Sequence, residues 1–290
     1  MLRFLAFATA LLLQAPAAPA QEAQPAPRAG DLYEIRRVSD TTFTVAGSES
    51  SGNSHDRDML MERVIAVRDT GVELEFDLPA DATAENRAAV WQFPARVLRP
   101  PQGALQLLNG PELEARVARW LERARWPRTI CGHWIFTWNA FRIDCDPQTV
   151  IQTLTAVDLG AITPHDGALH REAGAREPAM LRRETQGPDG AVFVAEMEVD
   201  PETLRREYAE SEAATLEILG DSPATRAYRE ERAPRRVSGT IRIRFETDAA
   251  GHVRRRTKVT ELTIETANGE RETRTVTETL ERRLVSRAGP

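Results

Sequence analysis

Apolar and polar positions alternate with a period of two along several stretches of this chain. The cleanest case is Val72, Leu74, Phe76 and Leu78, interleaved with Glu73, Glu75 and Asp77. Successive side chains on a strand point to opposite faces, so this is a strand with one buried face and one acidic, wet face. A helix would smear the three carboxylates around its circumference. Residues 63–67 lead into it through Arg68-Asp69-Thr70-Gly71, which makes the pair a hairpin. The same period returns after Ser238, where Ile241, Ile243 and Phe245 face one way and Arg242, Arg244 and Glu246 the other. Asp248-Ala249-Ala250-Gly251 and Asn268-Gly269 turn the chain, so 238–285 reads as a three-strand meander. Parity slips between Val259 and Leu262, which predicts a bulge. Residues 32–38, 42–46, 104–108 and 193–199 read as further strands, and 47–55 as a polar loop. Residues 90–98 make an edge or irregular strand because of Pro94.

Helical spacing appears in Leu113, Val117, Trp120, Leu121 and Ala124, behind Pro111 and closed by Pro127. Asp146-Pro147 and Asp200-Pro201 are helix starts, with Asp as the N-cap and Pro in the first turn. The second helix runs to Leu219 and stops at Gly220. Ser222-Pro223 opens a short one. These elements predict an α+β fold: one or two twisted antiparallel sheets with three or four helices packed on one face. The folded part is expected over 31–290, as one domain or as two lobes, 31–175 and 176–290. An outer-membrane barrel is excluded, because Glu73, Glu75 and Asp77 oppose a face that the core needs, leaving no lipid-facing row.

The N-terminus says where the chain goes. Arg3, an apolar run over 4–13 and Ala18-Pro19-Ala20 before Gln21 read as a cleaved signal peptide, 1–20. Ten apolar residues are too few to span a bilayer core, and no integral membrane segment is expected afterwards. Residues 21–30 form an Ala/Pro-rich tether. No cysteine lies near the cleavage site to carry a lipid anchor, so the expected location is periplasmic or secreted. Cys131 and Cys145 are the only cysteines, and in an oxidising compartment they should pair. A metal site using Cys131, His133 and Cys145 lacks a fourth ligand. Residues 134–138 and 141–144 read as two strands that bring the cysteines together, with a helix as the rival, since Trp134, Trp138 and Phe141 also fall at helical spacing.

A net charge of −6 disfavours nucleic acid as a partner. Lys258 is the only lysine, which excludes a phosphate-binding G-K-[ST] loop and a Ser-x-x-Lys nucleophile. No G-x-S-x-G, H-E-x-x-H, C-x-x-C or glycine-rich dinucleotide turn is present, and no cofactor is expected. Two loop clusters contain groups able to bind a metal or relay protons: His165 and His170 with Asp166 and Glu172, and His55 with Asp56 and Asp58. Neither sits on a periodic element that would hold it rigid. Residues 236–290 hold 12 basic and 8 acidic residues, interleaved as on a solvated strand face.

The aromatic residues are distributed unevenly. Eight of the 17 lie between positions 91 and 141, among them all five tryptophans. They read as core or as the wall of an apolar groove, with Trp120, Trp126, Trp134, Phe136, Trp138 and Phe141 as candidate ligand contacts. The expected function is an exported, non-catalytic protein that binds a lipid or other hydrophobic small molecule. The alternatives are an envelope interaction or scaffold protein, using strand edges or Arg242, Arg244 and Arg254 to Arg256 against a protein partner, and a metal-assisted hydrolase at His165 and His170.

Overall fold

A computed structural model describes residues 27–47, 50–136, 140–220 and 222–287. The expected signal peptide and most of the tether lie outside the described residues, as does Trp138. Ten strands form one antiparallel sheet. In chain order they are β1 (Leu32–Val45), β2 (Ser51–Arg68), β3 (Gly71–Asp77), β4 (Ala95–Arg99) and β5 (Gln106–Leu107), then β10 (Arg182–Gly187), β11 (Gly190–Glu198), β12 (Pro234–Thr247), β13 (Val253–Thr266) and β14 (Arg271–Ser286). Two small hairpins stand apart: β6 (Trp134–Phe136) with β7 (Ala140–Arg142), and β8 (Leu169–His170) with β9 (Ala179–Met180). The helices are α1 (Ala84–Ala89), α2 (Gly110–Ala124), α3 (Thr149–Val157), α4 (Pro201–Leu219) and α5 (Pro223–Arg232). The spatial order is β10-β11-β12-β13-β14-β1-β2-β3-β4-β5, so the expected C-terminal meander is present and β14 joins the N-terminal strands through β1.

Directly paired residues share a face, so the register can be read across the sheet as rows. One row on the covered face runs Leu284, Tyr33, Glu62, Phe76, Ala95, and the next runs Val64, Leu74, Val97, Leu107. Tyr33, Val64, Leu74, Phe76, Ala95 and Val97 are buried there with Leu113, Val117 and Leu121 of α2 and Val150 and Leu154 of α3, in a single core cluster. The helix built behind Pro111 presents the apolar stripe that its spacing predicted.

Inside this filled end lies an ionic network. Glu62 is fully buried and accepts hydrogen bonds from Arg282 Nε and Nη2, each at 2.9 Å. The Arg282 guanidinium lies 3.4 Å from the Tyr33 ring centroid, and Arg99 bridges Glu62 and Asp158. Burial alone would push the Glu62 carboxyl up, but Arg282 and Arg99 outweigh it and hold the group below its ordinary range.

Several local expectations need correction. The polar stretch at 47–55 is not all loop: β2 begins at Ser51 and pairs with β1 from there, because its ladder bonds satisfy the backbone without apolar burial. The bulge expected between Val259 and Leu262 is absent, since β13 stays in register with β12 and β14 through those residues. Five helices stand where three or four were expected. The extra one, α1, starts at Thr83, whose hydroxyl accepts from Asn86 N at 3.1 Å. Residues 90–94 are not strand, and β4 starts only after Pro94. α3 begins at Thr149, because Asp146 accepts from the Gln148 amide through its side chain and from the Thr149 amide through its carbonyl, folding 146–148 into a turn.

Candidate functional site

α4 is fixed at both ends and lightly packed between them. Asp200 caps it, accepting from Glu202 N at 3.1 Å and from Thr203 Oγ1 at 2.8 Å, while its own amide donates to Gly174 O. These bonds to the carboxylate hold Asp200 below its ordinary pKa. At the far end Gly220, with φ 80°, ends the helix, and Glu217 accepts from the Trp134 amide at 3.2 Å and meets His133 Nδ1 at 2.6 Å. Between these anchors only Ala214 is buried. The helix runs over the covered face of β12 without filling the space beneath it.

That space is a groove. Its larger part, about 500 Å³, lies among Phe43, Val45, Leu204, Tyr208 and Ile264. A second part of about 260 Å³ continues between Leu204, Ile241, Lys258, Thr260, Val276 and Glu278, and the two share Leu204, Glu207 and Arg274. The register explains the wall. On the covered face one row runs Met197, Ile241, Thr260, Val276, Thr41, Ser54, and the next runs Ala195, Ile243, Lys258, Glu278, Ser39, Asp56. Apolar side chains at the β11–β12 side give way to polar ones toward β1 and β2. Phe43 can lie over β2 only because position 52 is glycine: a Cβ there would stand 2.5 Å from the phenyl ring.

Most charges in the groove are already paired. Arg274 Nη2 meets Glu272 at 2.6 Å, and Arg37 Nη2 donates to Glu278 at 2.9 Å. Glu207 and Glu270 have no side-chain partner among the described residues, so the unpaired charge along the groove is negative.

Beside its narrower part sits a second ionic cluster. Glu172 is bound by His170 Nε2 at 3.1 Å, Arg256 Nη2 at 2.6 Å and Lys258 Nζ at 3.2 Å. Burial would raise its pKa; the His170 hydrogen bond and the two cations overcome this and lower it to about 2. Lys258 also donates to Ala173 O at 3.2 Å. The lone lysine is therefore part of a closed ionic knot and is no free amine.

The residues singled out in the sequence are scattered by the fold. Cys131 and Cys145 form the disulfide, and the described residues between them include the paired strands β6 and β7, as the hairpin reading expected, with Trp134 opposite Arg142. Trp120 and Trp126 pack edge to face with centroids 5.4 Å apart and lean on the core, and Trp91 is buried in it. Phe136 and Phe141 are exposed near the C-terminal end of α4. None of these rings lines the groove under α4. The His165 ring meets the Asp166 carbonyl at 3.2 Å, whereas the His170 ring is bound to Glu172. His55 pairs with Asp40 at 2.7 Å. Among the described residues no group of three or more His, Cys, Asp or Glu is arranged to hold a metal. The arginines of the opposite face are neutralised: Arg242 by Glu196 at 2.9 Å, Arg244 by Glu184 and Arg255 by Glu281. Arg256 faces inward to Glu172.

The groove residues Phe43, Gly52, Leu204, Glu207 and Thr260 carry no motif. Of these only Thr260 left a trace in the sequence, the parity slip at 259–262, because it points inward into unfilled space.

No helix among the described residues is long and apolar enough to cross a membrane. No protein-family model matches the chain, and no curated protein matches it. Among solved structures, lipovitellin, from a study of its lipid-protein interactions, is 8% identical with a TM-score of 0.41. The match covers 93% of this chain and 26% of lipovitellin, so the chain spans about a quarter of that protein's length. An outer membrane channel from Pseudomonas putida F1 is 6% identical with a TM-score of 0.23, covering 90% of this chain and 100% of the channel. Both scores are too low to carry an inference about this chain.

Proposed function

We propose that this chain is an exported, non-catalytic protein that holds a hydrophobic or lipid-like ligand in the groove between α4 and the sheet. The observation that carries the reading is the groove itself. Its main volume of about 500 Å³ falls inside the about 300–1,000 Å³ of small-molecule sites, and its wall mixes apolar contacts with a few polar groups. Phe43, Val45, Leu204 and Ile264 supply the surface for an apolar body. The unpaired Glu207 at the junction of the two parts favours a neutral or cationic polar end over an anionic one. Placing an internal disulfide in an exported chain agrees with its redox compartment.

Calorimetric titration with dodecyltrimethylammonium and dodecyl maltoside, each below its micellar concentration, tests the reading. The expected result is saturable binding with a negative heat-capacity change. Leu204→Trp, which fills the groove, should weaken it about tenfold or more while leaving the thermal unfolding transition in place. Absence of saturable binding to either amphiphile, or equal affinity for the variant, would sink it.

A second reading, an envelope interaction protein, has one feature in its favour: β10 is an edge strand whose residues are all exposed. Arg182, Arg183 and Glu184 on that edge are the charges that usually discourage strand addition, so the groove remains the better-supported site.

A further inference from the structure

A separate hollow lies at the other end of the molecule, between α1 and α2, and nothing in the carrier reading uses it. Its volume is about 210 Å³, too small for a chain but adequate for a compact group. Arg87 from α1 and Arg116, Arg119 and Arg123 from α2 surround it, and no carboxylate lines it. The three α2 arginines are three and four residues apart, so the helix places them on one face. Trp91, Phe93 and Trp120 lie behind it, but Trp91 is buried in the core, so the open surface of the hollow is mostly polar.

What makes this cluster unusual is how its cations are satisfied. In an acidic protein most arginines here find a carboxylate, as Arg242, Arg255 and Arg282 do. Around this hollow only Arg87 has a close one, donating to both Asp77 oxygens at 3.1 Å. Arg116 donates to the Pro94 carbonyl at 2.5 Å and stands 3.8 Å from Glu112; Arg123 donates to the Ala88 carbonyl at 2.7 Å. A carbonyl orients a guanidinium without cancelling its charge. Arg119 has no hydrogen bond or ion pair among the described residues, and its guanidinium is exposed. The result is a small concavity with an excess of positive charge, carried by Arg119 and Arg123.

We infer that this hollow is an anion site for a doubly charged phosphate group. Guanidinium groups match phosphate oxygens with paired hydrogen bonds, and a doubly charged group balances the excess of cations better than a single carboxylate. The site is independent of the groove under α4, and either can fail without the other.

Trp91 and Trp120 give the test its signal. Titration of the full chain with inorganic phosphate, followed by tryptophan fluorescence, should show a saturable change at low salt that weakens as salt is added. Acetate, with a single charge, should bind at least about tenfold more weakly. Arg119→Glu should abolish the response. Because Arg119 holds nothing else in place, the unfolding transition should stay where it was. Arg242→Glu, on the opposite sheet face, serves as the control and should leave the affinity unchanged. No saturable change with inorganic phosphate, equal binding of acetate, or the same loss in both variants would each overturn the proposal.

Discussion

The two ends of the covered sheet face belong to one antiparallel ten-stranded sheet, yet helices pack down on one end and bridge a groove at the other. At the β2–β5 end most inward positions are apolar and buried, Glu62 being held by Arg282, and α2 and α3 bring matching stripes that pack against them. At the β12–β14 end the inward row reads Met197, Ile241, Thr260, Val276, Thr41, and α4 buries a single alanine. Secondary structure is indifferent to this contrast, because the backbone ladder is satisfied in both places. What differs is side-chain volume on one face, and that decides whether a helix packs down or bridges a gap.

The strongest way to break the contrast is to damage the filled end through its ionic network. Removing Glu62 leaves Arg282 buried at nine-tenths of its surface with its charge uncompensated. Glu62→Ala is therefore expected to cost about 3–5 kcal/mol of stability in denaturant unfolding. A loss below about 1 kcal/mol would mean that water reaches the network, and the filled end would not be solid.

This contrast also explains which features could be read from the chain. The hairpin at Val72–Leu78, the stripe of Leu113, Val117 and Leu121, and the meander after Ser238 were legible because apolar residues there meet apolar residues, and periodicity reports that directly. The disulfide and its hairpin followed from two cysteines and a β-rich spacer. The groove was not legible for the same physical reason in reverse. An inward Thr260 or Lys258 looks in sequence like an outward one, so the pattern suggested a bulge where the register is continuous. Phe43 was hidden too, since its partner Gly52 fell in a stretch that looked like loop. Tryptophan density pointed to the filled end, where Trp91 is buried and Trp120 and Trp126 lean on the core.

A smaller effect sharpens the boundary between the ends, where Glu172 sits with Arg256 and Lys258. Its folded-state pKa of about 2 is below the unfolded value of 4.5, so unfolding takes up a proton in that interval. The stabilisation is complete above about pH 5 and is lost as the pH falls toward 2. Glu172→Gln should lower the melting temperature at neutral pH by less than Glu62→Ala does. Its curve should approach that of the unaltered chain as the pH nears 2. Parallel curves across the whole interval would show that Glu172 is wet and carries no linkage.

The smallest expected change is the most telling. Leu204 is half-buried over the hollow, whereas Leu154 is fully buried in the filled end. Truncating Leu154 to alanine removes packing on all sides and should cost about 2–5 kcal/mol. Leu204→Ala removes a side chain that already borders empty volume, so it deletes few contacts and creates little new cavity. It should cost less than about 1 kcal/mol in the same denaturant titration. Its effect should appear instead in amphiphile affinity, because the lost surface is surface that the ligand would touch. If Leu204→Ala cost as much as Leu154→Ala, α4 would be packed down on the sheet in solution. The hollow would then be closed, and the two ends would be equally solid.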